Sequence, residues 1–558
     1  MKLQQVIINT DVLIIGGGCA GSMAAICIKD AAPNLNVCIM EKGHIKRSGS
    51  VTMGMDALNV AVIPGISTPE EYLETVKKKC WGIMDYFPNY TLAIKSFELL
   101  KTLESWGVFF PKNEDGNYNI MQVDTSGKFC VGMDEPDLKP IMEKKIREAK
   151  IDVLNKTMGT KLIVKNGKIL GAVGLNINNG QVVCCKAKCV ILANGSASRF
   201  GLPNTGYLYG TFDFPGNAGD GFALAYRAGA KITGMEFTLK YALVKDLNIP
   251  LIYIVLTRGG EVVNGSGEVI VDKNNLSIFL IVEALENRKG PLFLKTDHLS
   301  KEKIMEIENI LFSTERPMQR RYWELKDIKF GRDLIELNLT EAQLCGGHGI
   351  SGIVINEQSH TNIKGLFAAG DVSSVPMQHL TGAFVYGKIA GESAIEYCNN
   401  GNFPENHKDI HWEFDAELSH LGSLLNLTKN NTIQPTTFEY KLRRIINEYL
   451  LSPKNSSSLK KGLSLIYELR EQLPYQVLAK NFHELSKVLE IGYILDCAQM
   501  SAISSLTRKE SRWGCIHRRS DYPDTDDVNW LKHIDLQVGQ TYPETDIYLR
   551  EIQRGDGE

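Results

Sequence analysis

The glycines that follow the first apolar run of the chain have the spacing of a dinucleotide-binding loop. In the run Asp11-Val-Leu-Ile-Ile-Gly-Gly-Gly-Cys-Ala-Gly21, the pattern Gly-x-Gly-x-x-Gly falls on Gly16, Gly18 and Gly21. The first glycine permits a tight turn, the second lets the backbone approach a pyrophosphate, and the third lets a helix pack on a strand. Glu41 ends the next apolar run, where an acidic side chain meets an adenosine ribose hydroxyl. The chemistry predicted for these residues is the binding of a dinucleotide.

Three elements must position this loop. Val12 to Ile15 is a short apolar run that predicts a buried strand, and Ser22 to Lys29 predicts the helix that the glycines open. The N-terminus of that helix offers free N–H groups and a positive dipole end to the phosphates. Asn36 to Met40 predicts the second strand. Glycine-rich turns often only reverse the chain, so the glycines alone are weak evidence. The prediction depends on the whole order, in which a strand, the glycines, a helix, a second strand and an acidic residue follow one another at the expected spacing.

Two later segments distinguish FAD from NAD. Lys188 to Gly195 predicts a strand that runs into a turn of small residues, and Thr361 to Asp371 predicts a strand that ends in Gly370-Asp371. In FAD folds the chain returns to the sheet far downstream and this aspartate meets the ribityl–pyrophosphate region, whereas an NAD domain needs no such return. An exposed turn is the alternative for Gly370 and Asp371. With the glycine loop already placed, the two segments favour FAD.

The length and composition are typical of a globular protein with more than one domain. The 558 residues are too many for a single core, so two or three domains are expected. A hydrophobic fraction of 43%, a charged fraction of 23% and a net charge of −3 give no reason to propose nucleic acid as a partner. No window approaches the roughly eighteen uninterrupted apolar residues of a membrane span, and the first strand starts too early for a signal peptide. We therefore expect a cytoplasmic protein without a transmembrane segment.

The twelve cysteines are scattered along the chain. Cys38 and Cys189 lie inside apolar strand-like runs and predict buried, reduced thiols of a cytosolic protein. Cys184, Cys185 and Cys189 form the one cluster, but their spacing matches no iron–sulfur or zinc site. We therefore expect no metal bound by this chain.

Further motifs extend the recognisable pattern over nearly the whole chain. They are Arg47-Ser-Gly-Ser50, Asn217-Ala-Gly-Asp-Gly221, Gly365-Leu-Phe-Ala-Ala-Gly-Asp371, Glu510-Ser-Arg-Trp-Gly-Cys-Ile-His517, Asp521-Tyr-Pro-Asp-Thr-Asp-Asp527 and Trp530. With the glycine loop, these segments resemble the flavoprotein subunits of succinate dehydrogenase and fumarate reductase, L-aspartate oxidase and the alpha subunit of adenylylsulfate reductase. The segments that most resemble the adenylylsulfate reductase branch are Ser48-Gly49-Ser50, Ala57-Leu-Asn59 and Ser511-Arg-Trp-Gly514.

The resemblance implies an α/β fold in three parts. A Rossmann-like FAD-binding domain of the glutathione-reductase type is expected from residues 1–238 and 345–415, with an α+β capping domain inserted at 239–344. A helical C-terminal domain is expected at 436–558, after the polar stretch from Asn426 to Thr437, which predicts a loop. Within this domain, the apolar spacing of 438–451 and 459–473 predicts two amphipathic helices.

The resemblance also implies which residues surround the flavin. Several of these enzymes have a flavin-bonded histidine after Arg-Ser, but here Gly49 follows Arg47-Ser48, so dissociable FAD is expected. The segment from Thr381 to Phe384 precedes a predicted helix at 385–397, whose N-terminus would face the pyrimidine side of the isoalloxazine. Thr381 is also a competent helix cap. The residues expected to contact FAD are Gly16, Gly18, Cys19, Ala20, Gly21, Glu41, Lys42, Ser48, Gly49, Ser50, Ala193, Asn194, Gly195, Asp220, Gly370, Asp371, Thr381, Gly382, Ala383 and Phe384.

Four residues are candidates for catalysis. His348 lies among glycines where the family keeps an active-site histidine, although the spacing to the following strand is one residue shorter than in relatives. Substrate contact or proton handling is expected for it, with an exposed loop residue as the alternative, and His379 is a second candidate. Asn59 either orients substrate or flavin or forms a turn. Arg258 in the capping domain is either a proton donor or a solvated loop charge.

The chain departs from the family at two arginine positions. Fumarate reductases bind a dicarboxylate through arginines, because bidentate guanidinium–carboxylate pairs fix both charge and orientation. Gln378 stands where one such arginine is expected, and Leu243 stands near the active-site arginine of the adenylylsulfate reductase pattern. The flavin chemistry is therefore expected to be retained, while the identity of the substrate stays open.

The resemblance implies an FAD-dependent oxidoreductase that transfers electrons between flavin and a small, anionic substrate, and whose partner is a ferredoxin-type iron–sulfur subunit. Two alternatives stay open. One is a stand-alone flavin oxidase or dehydrogenase of the L-aspartate oxidase or fumarate reductase type, which would form hydrogen peroxide without a partner. The other is a non-catalytic flavin-binding subunit. This alternative would be excluded if the reduced flavin transferred electrons to a small molecule in a saturable way and His348→Ala abolished the transfer.

Overall fold

The computed structural model describes residues 2–53, 57–122, 129–133, 137–203, 213–245, 252–315, 320–401, 410–425 and 432–555. In chain order its strands are Gln4–Ile15 (β1), Val37–Glu41 (β2), Ala57–Val60 (β3), Ile120–Gln122 (β4), Phe129–Gly132 (β5), Asp152–Asn155 (β6), Thr157–Lys165 (β7), Lys168–Asn176 (β8), Gln181–Leu192 (β9), Ile232–Thr233 (β10), Ala242–Val244 (β11), Glu261–Asn264 (β12), Val269–Val271 (β13), Leu292–Lys295 (β14), Ile335–Leu339 (β15), Gly352–Ile353 (β16), Leu366–Ala368 (β17), Lys532–Val538 (β18) and Thr545–Glu551 (β19). Its α-helices are Cys19–Ala31 (α1), Pro69–Lys79 (α2), Tyr86–Ser105 (α3), Leu138–Glu148 (α4), Asp220–Arg227 (α5), Ile252–Leu256 (α6), Ile278–Glu286 (α7), Lys301–Asn309 (α8), Arg320–Leu325 (α9), His379–Asn400 (α10), His411–Leu425 (α11), Pro435–Tyr449 (α12), Ser456–Gln476 (α13), Phe482–Thr507 (α14) and Asp527–Trp530 (α15).

The central sheet contains the strands that flank the glycine loop. β1 runs parallel to β2 on one side and to β9 on the other, and β6 and β17 extend the parallel part. β8 and β7 continue from β9 with antiparallel pairing. Val12 to Ile15 are at most 2% exposed, which explains the uninterrupted apolar run at the end of β1. β1 begins at Gln4, earlier than its apolar run predicts, because its more exposed first half pairs with β9.

Helices α1 and α10 pack closely on one another. A Cβ on Gly387 would lie 2.4 Å from the Ala20 carbonyl oxygen, and a Cβ on Gly391 would lie 3.0 Å from the Ala24 carbonyl oxygen. Glycine at these two positions therefore permits an approach that a side chain would block. This packing holds the downstream segment against the glycine loop, while β17 joins the sheet beside β9. The predicted α/β, Rossmann-like fold class is confirmed.

The inserted segment has a second, smaller hydrophobic core. Strands β11, β15, β14, β12 and β13 form, in this order, a five-stranded antiparallel sheet, and all of them lie within residues 239–344. Trp323 stacks on Phe330 in this core, with ring centroids 5.1 Å apart. We call this segment the capping unit.

The C-terminal part combines helices with a β-hairpin. Helices α12 and α13 occupy the two segments predicted to be helical, and each begins slightly before its first predicted residue. Of the predicted loop at 426–437, residues 426–431 lie outside the described residues, and α12 already begins at Pro435. The helical character predicted for this part is confirmed, and the hairpin of β18 and β19 adds a β element that the sequence analysis did not predict. The hairpin forms because β10 offers an open antiparallel edge, where Ile232 pairs with Leu536.

Among the described residues, no helix has both the length and the apolar character needed to cross a bilayer. Helix α14, with 26 residues, shows why length alone is not sufficient. It carries the buried carboxylates Glu490 and Asp496, which pair with Arg199 and Arg227. Such pairing is typical of a core helix in a globular unit.

Candidate functional site

A large cavity opens where the three parts of the chain meet. Its volume is about 890 Å³. Its wall includes the glycine loop, the turn after β17, part of the capping unit and the segment Trp513-Gly514-Cys515 of the C-terminal part. The volume lies in the range of about 300–1,000 Å³ found for small-molecule and cofactor sites.

The glycine loop forms one end of this cavity. Gly16 has φ +107°, and a Cβ there would lie 2.3 Å from the Ala193 carbonyl oxygen. A Cβ on Gly21 would lie 1.9 Å from the Gly16 carbonyl oxygen, so α1 packs directly on the end of β1. A Cβ on Gly18 would meet nothing within 4 Å, because Gly18 faces the cavity. The first turn of α1 holds no acidic residue, so its N–H groups and positive dipole end are open to an anion.

Glu41 fixes the glycine loop from the end of β2. Its Oε2 accepts a hydrogen bond from the Gly17 N–H at 2.7 Å, and its Oε1 accepts one from the Gly43 N–H at 2.6 Å. The Lys139 ammonium donates to the Gly17 carbonyl, and burial lowers the pKa of this lysine. Because each carboxylate oxygen has a second lone pair, Glu41 can hold the loop and still accept a hydrogen bond from a ribose hydroxyl.

Further wall residues are suited to FAD. Gly49, with φ +91° between Ser48 and Ser50, carries no nucleophile that could bond to a flavin. The side-chain oxygen of Asn194 is buried at the cavity and has no hydrogen-bond partner among the described residues. A buried acceptor without a partner costs free energy, which a donor on a ligand would recover. With the open N-terminus of α1, these residues fit the dinucleotide.

Most of the residues that the sequence associates with FAD lie on the cavity wall. They are Gly16, Gly18, Cys19, Ala20, Glu41, Lys42, Ser48, Gly49, Ser50, Ala193, Asn194, Gly195, Asp220, Gly370, Asp371 and Ala383. Gly21 is not on the wall, since it serves the contact between helix and strand described above.

Three residues of the flavin segment, Thr381, Gly382 and Phe384, also lie off the wall. Helix α10 begins at His379, so Thr381 is inside the helix rather than at its cap, and its hydroxyl donates to the Asn59 carbonyl. Gly382 is buried, and a Cβ there would lie 2.2 Å from the Gln378 Cβ. Phe384 is fully buried in the core. The structure thus gives these three residues packing contacts where the sequence predicts cofactor contacts.

Lys42 and Asp220 form an ion pair on the wall. The Lys42 Nζ lies 2.7 Å from the Asp220 Oδ2 and 3.1 Å from the Glu490 Oε1. Burial opposes the charge of Lys42, but the two carboxylates more than offset this and raise its pKa. Glu490 belongs to α14 and also pairs with Arg199. Lys42 therefore connects the cavity to the C-terminal helices.

His348 and His379 meet in the part of the cavity beside the capping unit. Their Nδ1 atoms are 3.1 Å apart, and their ring centroids are 4.7 Å apart. One ring donates and the other accepts, depending on the tautomers. The ring of Tyr241, from the capping unit, packs edge-on against His348 with centroids 5.5 Å apart. The sequence identifies the two histidines separately, and the structure brings them together.

The backbone before α10 is strained where it presents His379. Met377 has φ +58° and His379 has φ +47°, in the left-handed region that costs a non-glycine residue about 1–3 kcal/mol. Between them, Gln378 is 1% exposed and its Nε2 donates to the Gly370 carbonyl at 3.1 Å. The residue that replaces the expected arginine therefore points into the core. Its hydrogen bond helps to hold His379 at the wall.

The structure separates Arg258 from the other three catalytic candidates. Asn59 in β3 lines the cavity with the two histidines. The Arg258 Nε lies 2.9 Å from the Glu306 Oε1, and its Nη1 donates to the Ile254 carbonyl at 3.1 Å. Arg258 is buried but is not among the wall residues. Its guanidinium thus stabilises the capping unit, and it is neither directed toward the cavity nor a solvated loop charge.

Sequence reasoning did not identify Asp213, Tyr241 and Trp513 as site residues, yet all three line the cavity. Trp513 has φ +63° and is 3% exposed, and its indole N–H has no partner among the described residues. Its motif carried a family signal, whereas Asp213 and Tyr241 are isolated residues with no pattern around them. The described part of the wall includes four lysines, Lys42, Lys78, Lys79 and Lys273, and no arginine.

Comparison with known proteins agrees with this geometry. Residues 11–383 match the family described as FAD binding domain, and residues 439–553 match the family described as Fumarate reductase flavoprotein C-term. An uncharacterized FAD-dependent oxidoreductase of Methanocaldococcus jannaschii is 28% identical over 96% of this chain and 100% of its own length. A fumarate reductase (CoM/CoB) subunit of Methanothermobacter marburgensis is 26% identical over 92% of this chain and 95% of its own length.

Solved structures share the fold over the whole chain. Adenylylsulfate reductase of Archaeoglobus fulgidus superimposes with a TM-score of 0.88 at 22% identity, covering 99% of this chain and 97% of that chain. A quinol fumarate reductase FrdA variant of E. coli superimposes with a TM-score of 0.82 at 20% identity, covering 100% of this chain and 98% of that chain. From the glycine loop to the C-terminal segment, the chain therefore belongs to the family of FAD-dependent oxidoreductases that includes the fumarate reductase flavoproteins.

Proposed function

We propose that this oxidoreductase exchanges electrons between FAD and a small, anionic substrate that lies in the cavity beside the capping unit. The observation that carries the proposal is the histidine pair, His348 and His379, on a wall shared with the glycine loop. Lys78, Lys79 and Lys273 add positive charge to the same wall. A lysine ammonium is a point charge with three donors, so each of these side chains can pair with an anionic group of the substrate.

The chain's own residues would bind, orient and protonate the substrate. FAD, when bound, supplies two-electron transfer. His348 and His379 share one hydrogen bond through their Nδ1 atoms, so a ring can exchange a proton with the substrate through Nε2 while the other ring stabilises it. Tyr241 and Phe279 of the capping unit cover this part of the cavity and would keep water away from it.

The residues at the two expected arginine positions argue against a dicarboxylate that is bound by arginines, and so favour a different substrate. Gln378 points into the core, and Leu243, at the other expected arginine position, is fully buried. The lysines on the described part of the wall each provide a single point charge, whereas an arginine guanidinium would bind a carboxylate through two parallel hydrogen bonds. We therefore infer an anion whose orientation depends on apolar and aromatic contacts with the capping unit as well as on charge.

The electron partner that we propose is a ferredoxin-type iron–sulfur subunit. The relative from Methanothermobacter marburgensis is named as a subunit, which supports an assembly of more than one chain. Among the described residues no three His, Cys, Asp or Glu side chains are grouped as metal ligands, so a cluster would belong to the partner. A pull-down from the source cell that recovers an iron–sulfur protein supports this assignment, and peroxide formation at full rate by the isolated chain contradicts it.

Anaerobic stopped-flow reoxidation of the chemically reduced protein tests the proposed reaction. Fumarate, adenylyl sulfate, sulfite-related sulfonates, a quinone and oxygen are compared as oxidants. We expect saturable reoxidation by one anionic oxidant, slowed about 10²–10⁴-fold by His348→Ala or His379→Ala, because a positioned proton donor contributes this much. Arg258→Ala is the matched control and should leave the rate unchanged. Equal rates in wild type and both histidine variants would refute the role of the pair.

A further inference from the structure

The carbonyl oxygen of Gly17 points from the glycine loop into the core. It accepts hydrogen bonds from the Lys139 ammonium and from the Ser22 hydroxyl, the latter at 3.1 Å. Lys139 is 2% exposed and Ser22 is fully buried, and neither side chain lines the cavity. Lys139 lies in the first turn of α4, so a residue 122 positions further along the chain fixes the glycine loop from below.

The peptide bond between Gly17 and Gly18 converts this contact into an orientation of the Gly18 N–H. The bond is trans, and in a planar trans peptide the C=O and the N–H point in opposite directions. Because the Gly17 oxygen faces Lys139, the Gly18 N–H faces the other side, where Gly18 lines the cavity. The contact with Lys139 therefore directs this N–H toward the expected position of a pyrophosphate.

Without this contact the peptide would be free to rotate. The two residues that it joins are glycines, which have no Cβ to restrict ψ of Gly17 or φ of Gly18. A Cβ on Gly18 would meet nothing within 4 Å, so the cavity side leaves room for the rotation. A rotated peptide would present its carbonyl oxygen to the cavity in place of its N–H, and would repel an anion there.

Lys139 also places a positive charge close to the loop. Glu41 and Glu143 interact with this charge electrostatically. Both carboxylate oxygens of Glu41 already accept hydrogen bonds, from the N–H groups of Gly17 and Gly43. Lys139 itself forms no ion pair with a carboxylate in the described part of the chain. A buried charge without a direct partner costs free energy, which an anion bound beside the loop would recover.

We propose that Lys139 is a positioning residue of the FAD site. It fixes the Gly17–Gly18 peptide so that the Gly18 N–H donates to the pyrophosphate, and its charge stabilises that anion. Lys139 acts through the loop, because its own side chain does not line the cavity. This role goes beyond the proposed function, since it concerns the cofactor and involves neither the substrate nor the electron partner.

Binding of ADP and of adenosine to the apoprotein tests this role, because the two ligands differ only in the pyrophosphate. Ligand-observed NMR titration gives both Kd values. Lys139→Met keeps an apolar stem of similar length and removes the ammonium. We expect it to weaken ADP binding about 10–100-fold, as the loss of a hydrogen bond to a charged group does, and to leave the Kd for adenosine unchanged. A variant that weakens both ligands equally has only a loosened loop, which contradicts the proposal.

Two further variants complete the test. Lys144→Met is the matched control, since it removes an exposed lysine from the same helix and should leave both Kd values unchanged. Lys139→Gln keeps an N–H donor without the charge and should lose part of the preference for ADP, so it serves if the methionine variant does not fold. A folded Lys139→Met variant with the wild-type ratio of the two Kd values overturns the proposal, and the same ratio in Lys139→Gln overturns the part assigned to the charge. Wild-type protein that binds ADP no more tightly than adenosine overturns the proposal without any variant.

Discussion

An added methyl group would meet different surroundings at Gly18 and at Gly21. Substitutions at the two positions can therefore separate an effect on cofactor binding from an effect on folding. Gly18 has φ −70° and ψ −162°, a conformation that alanine adopts easily, and a Cβ there would meet nothing within 4 Å. A Cβ on Gly21 would lie 1.9 Å from the Gly16 carbonyl oxygen. Gly18→Ala should therefore fold normally but fill space that the pyrophosphate needs, whereas Gly21→Ala should damage the fold.

The magnitudes follow from these contacts. Gly18→Ala should raise the free energy of unfolding of the apoprotein by about 0.4–1 kcal/mol, because alanine lowers the entropy of the unfolded chain. Gly21→Ala should lower the free energy of unfolding by about 1–3 kcal/mol or more, because the backbone oxygen it meets cannot move aside. Two lost hydrogen bonds from the helix N-terminus to phosphate, at about 1.5–3 kcal/mol each, correspond to at least about a 100-fold rise in the Kd for FAD in Gly18→Ala.

Urea unfolding of the apoprotein and a fluorescence titration with FAD measure the two effects separately. Gly422→Ala is the matched control, since a Cβ on Gly422 in α11 also meets nothing within 4 Å and Gly422 does not line the cavity. It should gain similar stability, with FAD affinity unchanged. Gly18→Ala protein that binds FAD with the wild-type Kd would refute the placement of the pyrophosphate over Gly18.

Three further predictions concern the rest of the molecule. Arg258→Ala should leave kcat and KM unchanged and lower the free energy of unfolding by about 1–3 kcal/mol, because its ion pair with Glu306 and its hydrogen bond to the Ile254 carbonyl, both inside the capping unit, are lost; kinetics and urea unfolding check this, and a fall in kcat alone would restore a catalytic role. Arg199→Met should lower the free energy of unfolding by about 1–3 kcal/mol, since Glu490 and Glu439 would each lose one buried partner while Lys42 and Arg443 still pair with them; an unchanged urea midpoint would contradict this. Heat-denatured protein should release its FAD into the supernatant, because Gly49 has no side chain to bond to it; a yellow precipitate with a colourless supernatant would show a covalent bond.

The sequence predicts those parts of the site whose signals are local. The glycine loop, β1, α1, β2 and Glu41 occupy one continuous stretch, so apolar periodicity and glycine spacing are sufficient to predict their order. The sequence also predicts the helix that follows Thr381, but not where that helix starts. The chain continues into the helix through two residues with positive φ, Met377 and His379, a conformation that no local pattern of side chains indicates.

Residues whose roles depend on distant partners cannot be assigned from the sequence. Arg258 looks like a possible proton donor until Glu306 is seen beside it, because nothing in the chain between them indicates that the two meet. The pKa of Asp371 is raised to about 7 by burial and by Asp213, a residue distant in the chain, and Tyr241 joins the site only by packing against His348. Electrostatics and burial are properties of the folded chain, so these residues become recognisable only in three dimensions.

The charged residues of the C-terminal motif, Glu510 to His517, hold the backbone of the site and do not themselves need to contact the substrate. Arg512 lies 2.6 Å from both Glu510 and Asp527, and its Nη1 donates to the Trp81 carbonyl at 2.5 Å. These contacts fix the chain on both sides of Trp513 and so hold its left-handed conformation, which would otherwise cost about 1–3 kcal/mol.

Both Trp513 and Trp81 lie on the cavity wall, so Arg512 joins the C-terminal part to the FAD-binding part at the cavity itself. A buried ion pair of this kind contributes little net stability compared with apolar packing, but it specifies one arrangement of the segments that it connects. The charged residues of the motif therefore determine the shape of the site, while the histidine pair remains the group that can exchange protons there.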